Sequence, residues 1–283
     1  MADVSKAVLI TGCSSGIGHA TAERLAGSGW TVYATARRPE SISDLDAKGC
    51  KTLACDVTDE ASMAAAVKAV EDAEGAVGVL VNNAGYSQSG AIDSVPLDKA
   101  RAQFETNVFG LIRMCQLALP GMRRQRWGKI VNVSSMGGKL VFPGGGLYHG
   151  TKHAVEAISD ALRFEVAGFG VDVIVIEPGL IVTGFGEAAA GSLDEEVDGS
   201  DYGDINSAVA KETAGVYEGP LKRLGGGPDV VANAIEKAIT KRRPRTRYPV
   251  TPSARLALAQ RKLMTDRMWD RAMRTQFPSP GRS

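Results

Sequence analysis

A tyrosine and a lysine lie four residues apart in the stretch LYHGTKHAVEAI, residues 147–158. Apolar residues follow at helical spacing, and residues four apart on a helix share one face. A free phenol has a pKa of about 10, which is poorly matched to proton transfer at neutral pH, and a neighbouring ammonium lowers it. Tyr148 and Lys152 are therefore candidates for an acid/base pair, although such a pair standing alone would be interpreted as a surface contact.

The elements that would position this pair alternate regularly up to about residue 177. The pattern predicts strands over 7–10, 31–35, 51–55, 77–81, 129–133 and 171–176, and helices over 17–27, 41–48, 60–71, 98–124 and 151–167. Nearly continuous apolar strands in strict alternation with helices are typical of a parallel sheet covered on both faces. We therefore predict an α/β fold, a Rossmann doubly wound parallel sheet, with residues 1–283 forming a single domain.

The alternation ends after Pro178-Gly179. Residues 184–226 are rich in glycine, alanine and acidic residues, with one helix predicted over 205–217, and we interpret this insertion as a substrate-binding lid. A further helix is expected from Pro228, a residue suited to the first helical turn, to about 240. Residues 247–251 are a candidate edge strand.

Residues 241–283 form a basic C-terminal extension. Its apolar residues fall on one helical face opposite arginines, namely Met268, Trp269, Ala272, Met273 and Phe277. The pattern is compatible with a helix at a membrane surface and with a helix that packs on its own domain or on a sister subunit. We favour the second interpretation.

The composition argues against several classes of protein. The 283 residues are 44% hydrophobic and 23% charged, and a net charge of +1 gives no general attraction to nucleic acid. The apolar runs are far shorter than the roughly 20 residues of a membrane span, and the N-terminus leaves no room for a signal peptide. The cysteines, Cys13, Cys50, Cys55 and Cys115, lack paired or metal-binding spacing. A cytoplasmic protein without a metal site is predicted.

A glycine-rich turn, TGCSSGIGHA over residues 11–20, joins the first predicted strand to the first helix. Gly12, Gly16 and Gly18 would allow a tight turn, a close backbone approach and a helix seated against the sheet. The helix N-terminus offers N–H groups and a partial positive charge to a pyrophosphate. A glycine turn alone is weak evidence, but its place after the first strand of this pattern predicts a dinucleotide site.

The end of the second strand discriminates between the two nicotinamide dinucleotides. A carboxylate there would bind the ribose hydroxyls of NAD and repel a 2′-phosphate. In this chain the strand ends at Ala36, and Arg37 and Arg38 follow. Two guanidinium groups suit a phosphate monoester through charge-assisted hydrogen bonds, so the sequence predicts NADP(H) as the cofactor.

Taken together, these motifs resemble those of the short-chain dehydrogenases/reductases over roughly residues 5–185. The resemblance rests on Thr11-Gly-x-x-x-Gly-Ile-Gly18, Asp56-Val57, Asn82-Asn-Ala-Gly85, Asn107, Ser135, Tyr148-x-x-x-Lys152, and Pro178-Gly179 through Thr183. Residues 33–37 and the long region after Pro178-Gly179 are similar to NADP-preferring members related to retinol and 17β-hydroxysteroid dehydrogenases.

The resemblance implies a role for each matching residue. Tyr148 would exchange a proton with the substrate oxygen, while Lys152 would bind the nicotinamide ribose and lower the pKa of the tyrosine. Ser135, chosen over Ser134 for its family spacing to Tyr148, would hold the carbonyl, and Asn107 would anchor a water that links Lys152 to solvent. The implied cofactor contacts are Gly12, Ser14, Ser15, Gly16, Ile17, Gly18, Arg37, Arg38, Asp56, Val57, Asn83, Ala84, Gly85, Tyr148, Lys152, Pro178, Gly179, Ile181 and Thr183.

The substrate is expected to be a small lipophilic carbonyl compound or alcohol, such as a steroid, a retinoid or a long-chain compound. The predicted pocket is mostly apolar and includes Met136, Gly137, Phe142, residues 144–146, Leu180 and Phe185. His149 is expected to point away from Tyr148, at the surface or an interface, and a second acid/base role for it is the weaker option.

Family members commonly form dimers or tetramers through two long helices, which correspond here to 98–124 and 151–167. We therefore expect a homodimer or homotetramer, with Ala154, Val155, Ala157 and Ala161 as small contact residues. Two other functions stay open: a non-enzymatic redox sensor that binds NADP(H), and a peripheral membrane adaptor that uses the basic tail. The presence of Ser135, Tyr148 and Lys152 argues against a sensor, which needs no proton donor.

Overall fold

The computed structural model describes residues 4–183, 201–218 and 223–278. Within them lies a seven-stranded sheet of order β3-β2-β1-β4-β5-β6-β7, in which all neighbouring strands are parallel. The strands are β1 Val8–Ile10, β2 Val32–Ala36, β3 Lys51–Ala54, β4 Val79–Asn82, β5 Gly128–Val133, β6 Val171–Glu177 and β7 Arg247–Pro249. The strand order reverses at β1 and β4, as in the predicted doubly wound Rossmann fold.

Helices follow the strands in turn. They are α1 Gly16–Gly27, α2 Glu60–Glu74, α3 Leu97–Phe104, α4 Gly110–Gln125, α5 Gly146–Val166, α6 Gly203–Glu218, α7 Pro228–Thr240, α8 Pro252–Leu263 and α9 Asp266–Met273. Helix α5 begins earlier than predicted, and Tyr148 therefore lies in its first turn.

Both faces of the sheet are covered by apolar side chains. Along β1, Val8 and Ile10 belong to the core on one face and Leu9 to the core on the other, because successive strand residues point to opposite faces. Val155 of α5 lies in this second core with no exposed surface. It packs inside the protein's own fold, which removes it from the residues expected between subunits.

Two predicted helices differ in form. Residues 41–48 do not make an α-helix; a 3₁₀ segment, Pro39–Leu45, stands there and breaks at Ile42. The Ser41 hydroxyl donates to the carbonyl of Arg38 at 2.7 Å, and such local bonds compete with an α-helix. The predicted helix 98–124 is divided into α3 and α4 by a π-helical turn, Glu105–Phe109.

The C-terminal extension packs on its own domain as far as it is described. The Trp269 indole N–H donates to the carbonyl of Val141 at 3.0 Å, and Trp269 and Phe277 are each only 8% exposed. Phe277 packs with Val209 of α6. Trp269 and Phe277 of the apolar face are therefore covered by the protein's own domain, while Met268 stays 51% exposed; the packing of the two aromatic rings supports the second of the two interpretations.

Parts of the predicted lid, residues 184–200 and 219–222, lie outside the described residues, as does Phe185. Over the described ranges, none of the helices combines the length and apolarity that crossing a bilayer requires. The cysteines are buried free thiols, and burial raises the pKa of Cys13 and of Cys115 to about 12.

Candidate active site

The turn after β1 is fastened to the segment after β4. The Thr11 hydroxyl oxygen accepts hydrogen bonds from the N–H groups of Asn83 and Ala84 at 3.0 and 3.1 Å. In return, the Asn83 side-chain amide donates to the carbonyls of Thr11 and Gly12 at 2.9 Å each. Because β1 and β4 are neighbours in the sheet, the two predicted cofactor motifs meet at the carboxyl edge of the strands.

The glycines of this turn are required by close contacts. Gly12 has a φ of +72°, and a Cβ there would lie 2.8 Å from the Cα of Ala84. A Cβ on Gly18 would overlap the carbonyl oxygen of Gly12. Helix α1 begins at Gly16, and the Ser15 side chain does not cap it, so the first turn can offer its N–H groups to a pyrophosphate. The cradle fits a dinucleotide.

Two exposed arginine side chains follow the end of β2. Arg37 and Arg38 follow Ala36 and are both exposed. Asp56, after β3, accepts from the N–H and hydroxyl of Thr58 at 2.9 and 2.7 Å. Partial burial raises the pKa of the Asp56 carboxyl, but the Thr58 hydrogen bonds and the Arg37 charge outweigh it, and the net pKa is lowered. The edge that would meet an adenosine ribose therefore carries cations beside one ionised carboxylate.

Asn107 lies in the π turn and is 2% exposed. Its amide group donates to the Tyr86 carbonyl at 2.9 Å and to the Thr151 hydroxyl at 3.1 Å, while its oxygen accepts from the Tyr86 N–H at 3.1 Å. The side chain thus ties the loop that contains Gly85 to helix α5 beside Lys152. π turns occur frequently at functional sites.

The two serines after β5 differ in burial and in their hydrogen bonds. Ser135 is half-buried, and its hydroxyl accepts from the N–H of Gly137 at 3.0 Å. Ser134 is 3% exposed, and its hydroxyl has no hydrogen-bond partner among the described residues. A Cβ on Gly138 would lie 2.7 Å from that hydroxyl, so Ser134 points into the protein.

Tyr148 and Lys152 share one face of α5. Lys152 Nζ lies 5.7 Å from the centre of the Tyr148 ring and donates to the carbonyl of Val133, at the end of β5, at 2.8 Å. Burial lowers the pKa of Lys152 to about 8, against the opposing charge of Glu156. The ammonium is thus held against the tyrosine with little water around it.

His149 is buried, at 7% exposure, and the expectation of a surface position was wrong. Its ring packs against Phe142 and Tyr148, with centroids 5.9 and 5.6 Å apart, and its Nδ1 lies 3.2 Å from the carbonyl of Gly137. Burial lowers the pKa of His149 to about 4, so the ring is neutral at physiological pH. The His149 side chain is buried because its ring packs closely against Gly137, where a Cβ would leave it no room.

The chain after β6 passes close to the cofactor cradle. The carbonyl of Pro178 accepts from the N–H of Met136 at 2.8 Å, and Gly179 has no room for a Cβ beside Thr251. Ile181 forms a parallel bridge with Gly226. A Cβ on Gly16 would lie 3.5 Å from Thr183 Cγ2, which brings the end of this segment to the N-terminus of α1.

An apolar groove of about 470 Å³ lies beside the start of α5. Its walls come from the segments after β4 and β5, from α6 and from the C-terminal extension; they include Ile92, Val141, Phe142, Gly146, Ile205, Trp269, Met273 and Phe277. Gly146 is two positions before Tyr148. Phe142 and residues 144 and 146 of the predicted pocket do line this groove, whereas Gly137 is buried against His149.

Some residues that contact the candidate site could not be predicted from the sequence. No sequence pattern indicates that Thr151 accepts a hydrogen bond from Asn107. Tyr86 accepts one from Asn107 through its backbone carbonyl, which any residue type could supply. The amphipathic tail did indicate that Trp269 would be covered. The pattern did not indicate which surface would cover it.

Comparison with known proteins agrees with this geometry. Residues 6–192 match the short chain dehydrogenase family. The chain is 36% identical to 3-ketodihydrosphingosine reductase of Bacteroides thetaiotaomicron, covering 94% of this chain and 96% of the relative. It is also 36% identical to the NADPH-dependent 3-dehydrocapnine reductase of Ornithobacterium rhinotracheale, covering 93% and 94%.

Solved structures show the same fold. A short-chain dehydrogenase from Streptomyces avermitilis superposes with a TM-score of 0.76 at 31% identity, covering 97% of this chain and 99% of that one. The closed form of a serine dehydrogenase complexed with NADP+ has a TM-score of 0.75 at 27% identity, covering 87% and 94%. The retinol- and steroid-like detail of the sequence analysis finds no support among these relatives.

Proposed function

The chain belongs to the short-chain dehydrogenase family, and from that premise we propose that it is an NADP(H)-dependent oxidoreductase that interconverts a lipophilic ketone or aldehyde and its alcohol. The observation that carries the proposal is the Lys152 ammonium held 5.7 Å from the Tyr148 ring and fastened to the end of β5. A phenol in that position is tuned for proton exchange near neutral pH.

In this proposal each side chain has one task. Tyr148 donates its hydroxyl proton to the carbonyl oxygen as that oxygen gains negative charge, and the Lys152 ammonium stabilises the phenolate that is left. The Ser135 hydroxyl, oriented by the N–H of Gly137, holds the same carbonyl oxygen. Bound NADPH would supply the hydride, and the protein supplies position and electrostatics.

The reprotonation of Tyr148 needs a path to solvent. Both amide N–H groups of the Asn107 side chain are engaged, with Tyr86 and Thr151, and its oxygen accepts from the Tyr86 N–H. In this proposal a water that links Lys152 to solvent accepts no hydrogen bond from the Asn107 amide N–H groups, and it binds the main-chain carbonyl of Asn107 in the π turn. The side chain would then act by keeping this turn and Lys152 in register.

The cofactor cradle supports NADP(H). The turn of Gly12, Gly16 and Gly18 supports binding of the pyrophosphate, and the exposed Arg37 and Arg38 after β2 are proposed to bind the 2′-phosphate. Substitution Arg37→Ala should raise the Kd of NADPH about tenfold or more, since a hydrogen bond to a charged group contributes about 1.5–3 kcal/mol. The Kd of NADH, measured by the same fluorescence titration, should hardly change; equal losses for both would contradict the assignment.

The apolar groove supports a lipophilic substrate. It offers about 470 Å³ beside the first turn of α5, a size within the usual range for small-molecule sites. Two relatives are named as reductases, one of 3-ketodihydrosphingosine and one of 3-dehydrocapnine. Among the classes considered from the sequence, a long-chain ketone is therefore preferred over a steroid or retinoid, with reduction as the working direction.

Steady-state NADPH oxidation over a panel of ketones and aldehydes of increasing chain length tests the proposal. Tyr148→Phe should lower kcat about 10²- to 10⁴-fold, the usual contribution of a general acid. Tyr33→Phe is the matched control, because Tyr33 also lies beside a lysine, Lys51, but away from the cleft. Turnover that survives Tyr148→Phe would exclude the mechanism, and NADPH binding without turnover on any carbonyl would favour the redox sensor.

Assembly and location complete the proposal. Phe109 and Phe164, on the helices named for subunit contact, are 53% and 85% exposed, which favours a homo-oligomer that covers them. Substitution Phe164→Ser should lower the molar mass measured by light scattering if this face is the interface.

The unpaired cysteines favour a cytoplasmic location.

A further inference from the structure

Two carboxylates are buried behind the candidate acid/base pair. Glu156 lies one helical turn after Lys152 on α5, and Glu177 is the last residue of β6. Their side chains are only 4% and 3% exposed. Buried carboxylates require compensation, because taking an ionised group out of water costs several kcal/mol.

Cations reach this pair from two other elements. Lys139, after β5, places Nζ 3.1 Å from Glu156 Oε2, and Arg247 of β7 places Nε 2.9 Å from the same oxygen and 3.5 Å from Glu177 Oε1. The Arg247 guanidinium is shared with Asp160 at 2.7 Å, and Asp160 is also paired with Arg163. Arg247 is therefore divided among three carboxylates.

One oxygen of the pair lacks a donor. Glu156 Oε1 is buried and has no hydrogen-bond partner among the described residues. A proton on Glu177 would supply that donor and remove one of the two like charges. Burial first, and the neighbouring charge of Glu156 second, raise the pKa of Glu177 to about 7.

We propose that Glu156 and Glu177 share one proton up to about neutral pH, and that Glu156 is a positioning residue that keeps the Lys152 ammonium charged beside Tyr148. The effect on turnover rests on the proposed function; the shared proton does not. Burial lowers the pKa of Lys152 to about 8, and the charge of Glu156 opposes that fall. Without the charge of Glu156, Lys152 would lose its proton closer to neutral pH, and Tyr148 would then have no cation beside its phenol.

The shared proton can be tested without cofactor or substrate. Glu177 binds a proton in the folded state at pH values where the unfolded chain, with a pKa near 4.5, has lost it, so the wild type loses stability as the pH rises from about 4.5 to 7. Glu177→Gln, a neutral group of the same shape, lacks this component. Its Tm relative to wild type should rise by on the order of a few degrees between acidic and mildly alkaline pH. A constant Tm difference would overturn the shared proton.

The influence of Glu156 on Lys152 is tested by the profile of kcat against pH for carbonyl reduction. Its alkaline limb is the pH range in which kcat falls as Lys152 loses its proton. Glu156→Gln should move this limb down by about one pH unit, the range of a neighbouring opposite charge. Lys139→Gln, at an exposed position, should move it up, because the cation that offsets Glu156 is lost. Glu177→Gln should move it less than Glu156→Gln does.

A purely structural role for Glu156 would lower Tm and leave the limb in place, and that result would overturn the positioning role. Movement of the limb in the same direction in Glu156→Gln and Lys139→Gln would also overturn it. If no carbonyl compound is turned over, the proposed function fails, while the Tm comparison still decides whether the acidic pair retains its proton.

Discussion

Two tyrosine–lysine pairs occur in this molecule, and their surroundings differ. At Tyr33, Lys51 Nζ lies 4.8 Å from the ring centre and 2.9 Å from the hydroxyl, and Glu74 bonds to the lysine and the tyrosine at 2.8 and 2.9 Å. At Tyr148, Lys152 Nζ lies 5.7 Å from the ring centre and bonds to a backbone carbonyl. One lysine has a carboxylate in direct contact and is exposed, whereas the other is enclosed.

The same residue types therefore behave in opposite ways. Hydrogen bonds to Glu74 and then to Tyr33 raise the pKa of Lys51, while burial lowers the pKa of Lys152 to about 8. The pKa of Tyr33 is raised, by burial first and by Glu74, although Lys51 opposes the change. In the proposed function, the Lys152 charge is available to the Tyr148 phenol because no carboxylate is in contact with both groups, as Glu74 is at Lys51 and Tyr33.

The largest difference between the two tyrosine–lysine pairs is expected when each lysine is replaced separately by methionine and kcat is measured. Lys152→Met should lower kcat for carbonyl reduction about 10- to 1000-fold, because a charge at this range shifts a neighbouring pKa by about 1–3 units. Lys51→Met is the matched control and should leave kcat unchanged. Similar losses in both variants, measured by NADPH oxidation, would mean that enclosure of Lys152 is not what matters.

The pH dependence of the wild type should separate the pairs by a smaller effect. Lys152 is charged below its pKa of about 8 and neutral above it, so kcat for reduction should fall above that pH, by about tenfold per unit at the limit. Lys51 has a raised pKa and stays charged over the same range. The limb should therefore persist in Lys51→Met, and a profile flat well beyond pH 8 would contradict the role of Lys152.

The smallest effect is expected at Glu74. Glu74→Gln removes a surface ion pair with Lys51 and should cost about 0–1 kcal/mol of unfolding free energy in urea. It should also lower the pKa of Tyr33, because Glu74 raises that pKa and Lys51 lowers it. Ultraviolet titration of the phenols, with Tyr33→Phe to identify the signal, measures the shift; a rise in the Tyr33 pKa would refute the explanation.

Much of the fold was predictable because its patterns are local. The alternation of apolar strands and helices predicted six of the strands to within about two residues. The π turn at Glu105–Phe109 and the 3₁₀ segment Pro39–Leu45 were not predicted: Asn107 in the π turn bonds to Tyr86 and Thr151, which are distant in sequence, and the Ser41 hydroxyl bond to Arg38 competes with an α-helix. The buried position of His149 was missed because helical spacing alone gives no account of what packs on each face.

Part of the candidate site could also be predicted from the sequence, and part could not. The glycine turn and the arginines after β2 could be predicted, because the backbone conformations and charges that a dinucleotide needs are set within a few neighbouring residues. The apolar groove beside α5 could not be predicted from the sequence, since its walls come from chain segments as far apart as Ile92, Phe142 and Trp269.

By itself, the sequence determined the order of strands and helices, the glycine cradle and the one-turn spacing of Tyr148 and Lys152, because each depends on local geometry. Tertiary structure decided which lysine is enclosed, which of the two serines after β5 is buried and which carboxylates lie beside Lys152 on α5 and at the end of β6. Those outcomes follow from burial and from charges brought together across the sheet, as Glu156, Glu177 and Arg247 are, and no short stretch of sequence specifies them.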